Sequence, residues 1–96
     1  MIDQIFPETL KILSDLIKFK TVSGDSNLEL IKYCEKKLDK VGAISSKTFN
    51  KSDSQANLFS TINGKDNLNG KGIILSGHTD VVPAVPDEWT SDPYVA

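Results

Sequence analysis

The order of periodic segments predicts an α/β fold, in which two amphipathic helices precede a partial mixed β-sheet. Apolar residues recur every three or four positions in the N-terminal part of the chain, which is the period of a helix. Short runs of bulky and β-branched residues follow, and the last of them, Gly72–Gly77, lacks the polar alternation of a half-buried strand. Such a run is typical of a strand that is buried on both faces and covered by helices.

The first helix is predicted from Pro7 to Phe19, since a proline is tolerated in the first turn of a helix. Its apolar stripe consists of Phe6, Leu10, Leu13 and Ile17. A polar break follows, and a second helix is predicted after it, with Ser26 and Glu29 as a capping box and Gly42 as a left-handed stop. The apolar stripe of this helix consists of Ile31, Cys34, Leu38 and Val41.

Strands are predicted at 43–49 and 58–62, with a polar loop between them at 50–55. The two Asn-Gly pairs at 63–64 and 69–70 predict turns before the buried strand. Beyond that strand a loop is predicted, because the segment has no clear period and contains three prolines: Pro83, Pro86 and Pro93.

Composition and charge restrict the partners that the chain can have. Its 96 residues correspond to a single domain, and a net charge of −2 argues against a nucleic-acid partner bound by a broad basic face. No apolar run approaches the roughly 20 residues of a membrane span, and no signal peptide is visible at the N-terminus. The single cysteine, Cys34, cannot form an internal disulfide and fits a reducing compartment, so a cytoplasmic location is expected.

The segment that carries recognisable chemistry is Ser76-Gly77-His78-Thr79-Asp80-Val81-Val82-Pro83. If residues 78–80 are extended, His78 and Asp80 point to the same side, because side chains alternate along a strand. A carboxylate that accepts the ring N–H of a histidine fixes its tautomer and orients it toward a metal. Taken alone, a His-x-Asp pair is more often a surface histidine, and catalytic zinc takes three protein ligands.

A longer pattern surrounds this pair: Leu75 through Pro83, followed by Glu88-Trp89-Thr90-Ser91-Asp92-Pro93-Tyr94. It resembles the first metal motif of the zinc aminoacylase, deacetylase and desuccinylase metallopeptidase superfamily. There, an apolar strand and a small residue precede His-x-Asp-x-Val-Pro, and a Trp and an Asp-Pro-aromatic sequence follow. The two helices and residues 56–62 also look like the N-terminal region of that family. The resemblance implies that residues 1–96 are the N-terminal portion of a zinc-peptidase-like catalytic domain, without the family's lid and dimerisation domain.

The resemblance also implies a reaction, the hydrolysis of a linear amide in an N-acyl amino acid. It assigns one metal ligand to His78, and it assigns to Asp80 the role of the catalytic aspartate that orients this histidine. Two zinc ions, or cobalt in their place, are implied for the full-length enzyme, which is expected to be a homodimer. The other ligands and the general base of the family lie beyond Ala96, so the isolated chain is expected to be inactive. No substrate-binding residue is identified.

Within the superfamily, Gly-His-Thr-Asp-Val-Val-Pro with Trp-Thr-Ser-Asp-Pro most resembles the acetylornithine deacetylases of arginine biosynthesis. Desuccinylases usually carry a glycine-rich segment between the proline and the Trp, whereas residues 84–88 contain no glycine, which departs from the patterns of both branches. Succinyl-diaminopimelate desuccinylase or another aminoacylase-type hydrolase is the alternative. A non-catalytic remnant or binding domain is the alternative from another class. The chain stops within a loop, so a fragment with an exposed sheet edge and poor solubility is expected.

Overall fold

The computed structural model describes residues 2–65 and 70–96, which form two helices, a β-hairpin and a long C-terminal segment. The elements are α1 (Ile2–Ile17), α2 (Leu28–Asp39), β1 (Ile44–Phe49) and β2 (Ala56–Thr61), and the C-terminal segment contains a short 3-10 turn at Pro86–Glu88. The predicted order, two helices followed by a partial sheet, is confirmed. The sheet in the described part of the chain has two antiparallel strands.

Helix α1 begins five residues before the predicted start, so that Pro7 lies inside it. Ile2 continues the apolar period by one turn, which explains the earlier start. Pro7 has no N–H to donate to the carbonyl of Asp3, and the helix therefore lacks one hydrogen bond near its beginning. The N-terminal half of the apolar stripe is not covered, since Phe6 and Leu10 are 58% and 46% exposed.

Helix α2 ends as the sequence predicted, at a glycine in the left-handed conformation. Gly42 has a φ of +80°, and its N–H donates to the carbonyl of Asp39 at 3.0 Å. The N–H of Ala43 donates to the carbonyl of Leu38 at 3.1 Å, which completes a Schellman motif. The predicted capping box at the other end is wrong: Asn27 is the N-cap and its side chain makes no cap hydrogen bond, while the Ser26 hydroxyl accepts from the N–H of Leu28 at 3.3 Å and not from Glu29.

The Asn27 side chain instead joins the start of α2 to the start of β2. Its Nδ2 donates to the carbonyl of Ala56 at 2.9 Å, and its Oδ1 accepts from the N–H of Ala56, also at 2.9 Å. Ala56 is buried, so its backbone groups require protein partners, and the amide supplies both. This contact starts β2 at Ala56, two residues before the predicted strand. The buried core, Leu30, Ile31 and Ala56, lies beside it.

The two strands form a hairpin whose register pairs Ile44 with Thr61 and Phe49 with Ala56. The loop predicted at 50–55 is confirmed as its turn. The side-chain oxygen of Asn50 closes the turn, because it accepts from the backbone N–H of Ser54 and of Gln55 at 2.9 and 3.0 Å. The second turn predicted further along, at 63–70, falls partly on residues 66–69, which lie outside the described residues.

The segment Gly72–Gly77 is not the buried strand that its composition predicts. Ile73, Ile74 and Leu75 are 91%, 82% and 93% exposed, and the segment pairs with no strand among the described residues. A strand buried on both faces needs a neighbouring strand and a covering layer of helices. Within residues 2–65 and 70–96 the hairpin pairs only with itself, so the apolar run has neither.

The chain as a whole is more open than a compact domain of the same length. Its radius of gyration is 16.1 Å, whereas about 12.5 Å is expected for 96 residues. Its accessible surface is 8354 Å², against about 5,400 Å² for a compact protein of this mass. The described residues therefore leave much of their apolar surface uncovered, and the stability of the fold depends on a small core.

A polar contact between the two helices supplements this core. The hydroxyl of Tyr33 in α2 donates to Asp15 in α1 at 3.0 Å, and Lys11 donates to the same carboxylate oxygen at 2.7 Å. The ring of Phe19 lies 5.7 Å from that of Tyr33. The hydrogen bonds from Lys11 and then Tyr33 lower the pKa of Asp15 from 3.8 to about 2. The folded chain thus favours the ionised form of this carboxylate.

This shift predicts an acid-sensitive contribution to stability from Asp15. Because the pKa is lower in the folded chain, the contribution is complete above the unfolded value of 3.8 and is lost as the pH falls through about 2. We expect Asp15→Asn to be less stable than the wild type at neutral pH and to lose less stability on acidification. Urea unfolding at a series of pH values measures both. Equal losses in the two proteins on acidification would contradict the assignment.

A pair of isoleucine substitutions tests the correction at Gly72–Gly77. Ile31 is 5% exposed, so Ile31→Ala should reduce the free energy of unfolding by about 2–5 kcal/mol. Ile74→Lys should change it by less than about 0.5 kcal/mol and should raise the solubility of the chain. Denaturant unfolding and a precipitation assay measure these effects. A loss of stability in Ile74→Lys as large as that in Ile31→Ala would show that the apolar run is buried.

Candidate functional site

The segment that carries His78 lies beside the polar break between the two helices. Val22 and Val81 form a parallel bridge. The N–H of Val81 donates to the carbonyl of Thr21 at 2.9 Å, and the N–H of Ser23 donates to the carbonyl of Val81 at 3.0 Å. His78 therefore does not lie at the end of a sheet strand, as its sequence context predicts. The residues that follow it are held by backbone hydrogen bonds to residues 21–23 instead.

Threonine side chains hold this bridge from its buried side. Thr21 is 5% exposed, and its hydroxyl donates to the carbonyl of Thr79. The hydroxyl of Thr79 lies 3.5 Å from Nδ2 of Asn27, the residue that also binds the start of β2. Thr79 therefore faces the protein, while its neighbours His78 and Asp80 face outward. This is the alternation that the sequence predicted for residues 78–80.

His78 and Asp80 are in direct contact on the outer side. Nδ1 of His78 lies 2.9 Å from Oδ1 of Asp80 and 3.0 Å from the carbonyl oxygen of Asp80. The carbonyl oxygen is an acceptor only, and so is the carboxylate oxygen when Asp80 is ionised. The donor in both contacts must therefore be Nδ1, which carries the proton. In the neutral ring, Nε2 then carries the free lone pair. The histidine has the tautomer that a metal ligand bound through Nε2 requires.

The second oxygen of Asp80 has a partner that the sequence analysis missed. The hydroxyl of Ser23 donates to Oδ2 of Asp80 at 2.7 Å. This hydrogen bond and then the one from His78 lower the pKa of Asp80, so the carboxylate is ionised at neutral pH. The sequence does show two hydroxyl residues in the polar break, Thr21 and Ser23. The contact of Ser23 with Asp80 could not be predicted, because Asp80 lies 57 residues after Ser23 and only the fold brings them together.

These residues fit one metal ligand and its orienting partner. Among residues 2–65 and 70–96, no group of three or more His, Cys, Asp or Glu side chains is placed to hold a metal ion. Catalytic zinc takes three protein ligands, so the described residues do not make up such a site by themselves. Burial raises the pKa of the Cys34 thiol, as is usual for a half-buried cysteine in apolar surroundings.

An open groove of about 910 Å³ lies in front of the pair. His78 and Asp80 line it, together with residues of α2 and the hairpin such as Ile31 and Asn57. A smaller apolar hollow of about 460 Å³ adjoins His78, and the aromatic rings of Phe19, Trp89 and Tyr94 line it. The ring of Tyr94 also lies under the ammonium group of Lys20, with the nitrogen 5.0 Å from the ring centroid.

Among the described residues, no helix is long and apolar enough to cross a membrane.

The proton position on His78 can be measured directly, because it is the only histidine in the chain. We expect long-range proton–nitrogen NMR of the neutral ring to show the Nδ1–H tautomer. Asp80→Ala should reduce the ratio of this tautomer to the Nε2–H form about tenfold, since it removes a charge-assisted hydrogen bond. Asp87→Ala, which changes an exposed carboxylate in the C-terminal loop, is the control. An unchanged ratio in Asp80→Ala would contradict the contact.

Comparison with known proteins shows similarity to one group of enzymes. The chain is 48% identical over 40 residues to the succinyl-diaminopimelate desuccinylases of Burkholderia cenocepacia (strain HI2424) and Burkholderia multivorans (strain ATCC 17616 / 249). It is 49% identical over 39 residues to that of Polynucleobacter necessarius subsp. necessarius (strain STIR1). The matches cover 41% and 40% of this chain, and they span only 11% and 10% of these relatives. No family model and no solved structure matches the chain.

These relatives support the coarser of the sequence predictions, a hydrolase of the aminoacylase and desuccinylase superfamily. They favour the desuccinylase alternative over the acetylornithine deacetylase branch, because each of them is named a desuccinylase. Neither the names nor the structure tests the roles assigned to His78 and Asp80. Those roles, and the zinc that they imply, stay predictions.

Proposed function

We propose that this chain contributes the first metal-ligand segment of a zinc-dependent amide hydrolase that acts on an N-succinyl amino acid of the diaminopimelate type. The observation that carries the proposal is the contact between His78 and Asp80, which leaves Nε2 of the histidine free and outward. The similarity to desuccinylases supports the reaction class and the acyl group. The groove in front of the pair offers room for a substrate.

Each residue of the pair has a distinct role in this proposal. His78 binds zinc through Nε2, and Asp80 holds the ring through Nδ1 and makes Nε2 a more basic ligand. Zinc, when bound, polarises the acyl carbonyl and lowers the pKa of a bound water. Because the described residues supply one ligand, the remaining ligands and the general base belong to residues outside them. The 96-residue chain alone should therefore hydrolyse neither a succinyl nor an acetyl substrate.

Deacetylation of N-acetylornithine is the second candidate. The two motifs at 77–83 and 89–93 favour it, since together they most resemble the acetylornithine deacetylases, whereas the glycine-free segment between Pro83 and Trp89 departs from both patterns. The groove itself does not discriminate between the two reactions. A succinyl group carries a carboxylate that an acetyl group lacks, yet no lysine or arginine is among the described residues that line the groove. In either reaction, selection of the acyl group falls to residues elsewhere.

Hydrolysis by the product of the complete reading frame that encodes this segment tests the proposal. With zinc present, we expect release of succinate from N-succinyl-diaminopimelate to exceed release of acetate from N-acetylornithine. His78→Ala should reduce the rate by at least about a hundredfold, and Asp80→Asn by about 10–100-fold. Lys71→Ala, an exposed change close to the site in sequence, should leave the rate unaltered.

The outcomes separate the candidates. Faster release of acetate would favour the deacetylase, and the roles of His78 and Asp80 would stand. Full activity in His78→Ala would contradict the assignment of the metal ligand. No hydrolysis of either amide by the wild-type product would overturn the proposal in favour of a non-catalytic binding domain.

A further inference from the structure

Ser23, Asp80 and His78 form a continuous chain of hydrogen bonds. The Ser23 hydroxyl donates to Oδ2 of Asp80 at 2.7 Å, and Oδ1 of the same carboxylate lies 2.9 Å from Nδ1 of His78. A carboxylate with one donor on each oxygen is fixed in rotation about its Cβ–Cγ bond. The direction in which it receives the imidazole N–H is then fixed as well.

The backbone explains why Ser23 is available for this contact. The N–H of Asp25 donates to the carbonyl of Val22 at 2.9 Å, and Gly24 between them has a φ of +95°. The third position of this turn has a positive φ, which favours glycine because glycine has no Cβ. The turn begins directly after the bridge residue Val22, and Ser23 at its second position is the residue that contacts Asp80.

The hydroxyl of Ser23 is not needed for the bridge itself. The backbone N–H of Ser23 already donates to the carbonyl of Val81 at 3.0 Å, and any residue type provides that bond. The hydroxyl lies 3.5 Å from the same carbonyl, at the limit of a hydrogen bond, whereas it lies 2.7 Å from Asp80. Its one proton therefore goes to the carboxylate. The backbone of Ser23 thus forms the bridge to Val81, while its side chain binds Asp80, and a substitution can remove the second contact without the first.

We propose that Ser23 is a positioning residue of the metal site, whose hydroxyl sets the orientation of Asp80 and, through it, the tautomer and direction of His78. This inference rests on the proposed function, because it gives His78 the role of a ligand. It adds a third residue to the pair, and that residue comes from the break between the helices. Asp80 is 61% exposed, so water can replace part of the hydroxyl's effect, and the effect of Ser23 should be smaller than that of Asp80 itself.

The proton position on His78 in the 96-residue chain is the first measurement. Ser23→Ala should lower the ratio of the Nδ1–H to the Nε2–H tautomer about threefold, less than the tenfold loss in Asp80→Ala. Ser23→Thr retains a hydroxyl at an exposed position and should restore the wild-type ratio. Ser26→Ala removes a hydroxyl three residues away, which contacts the start of α2 and not Asp80, and should have no effect.

Two results would overturn the inference: a wild-type ratio in Ser23→Ala, or a failure of Ser23→Thr to restore it. A loss of fold in Ser23→Ala is distinguished by its backbone amide spectrum, which should keep the wild-type dispersion because the bridge hydrogen bond uses the backbone N–H of residue 23. Zinc affinity of the full reading-frame product gives a second readout. In that product, Ser23→Ala should weaken zinc binding about tenfold, which is the lower end of the range for residues that support a metal ligand through hydrogen bonds. Ser23→Thr should bind zinc with nearly the wild-type affinity.

The same variants separate a failure of this inference from a failure of the proposed function. If the tautomer responds to Ser23 but the full product hydrolyses neither amide, the hydrogen-bond chain stands and the hydrolase proposal fails. If the full product is an active, zinc-dependent hydrolase whose affinity for zinc is unchanged in Ser23→Ala, the function stands and Ser23 is not a positioning residue.

Discussion

The pairing of residues 21–23 with residues 79–81 is the contact on which the candidate site depends. It joins parts of the chain that are almost 60 residues apart, through backbone hydrogen bonds near 3.0 Å and the buried hydroxyl of Thr21. Because Thr79 is held inward by this pairing, the alternation of the backbone turns His78 and Asp80 outward together. The geometry of the pair follows from the bridge, although neither side chain takes part in the bridge's backbone bonds.

This arrangement differs from the usual one in an α/β protein, where a buried parallel strand delivers a ligand to the edge of a sheet. Here the apolar run before His78 is exposed and pairs with no strand among the described residues, and residues of the hairpin line the same groove as His78. The core of Leu30, Ile31 and Ala56 supports α2 and the hairpin, and Asn27 links that core to Thr79. The site is thus anchored to the core by polar contacts instead of by a sheet.

The sequence correctly predicted three features that interactions between neighbouring residues determine. The period of the helices, the left-handed stop at Gly42 and the turn at 50–55 depend on neighbouring residues, and all three are present. The first residue of β2 and the environment of Gly72–Gly77 depend on distant partners, and there the predictions were wrong. The same distinction applies to the site: alternation along 78–80 predicted the contact of His78 with Asp80, whereas Ser23 could not be found without the fold. The chemical roles of these residues stay predictions from the resemblance.

The decisive measurement is a structure of the zinc-loaded product of the complete reading frame. We expect zinc bound to Nε2 of His78 at about 2.0–2.1 Å, with Nδ1 still donating to Asp80 and the Ser23 hydroxyl donating to the other carboxylate oxygen. Zinc bound through Nδ1, or a zinc site from which His78 is absent, would contradict it.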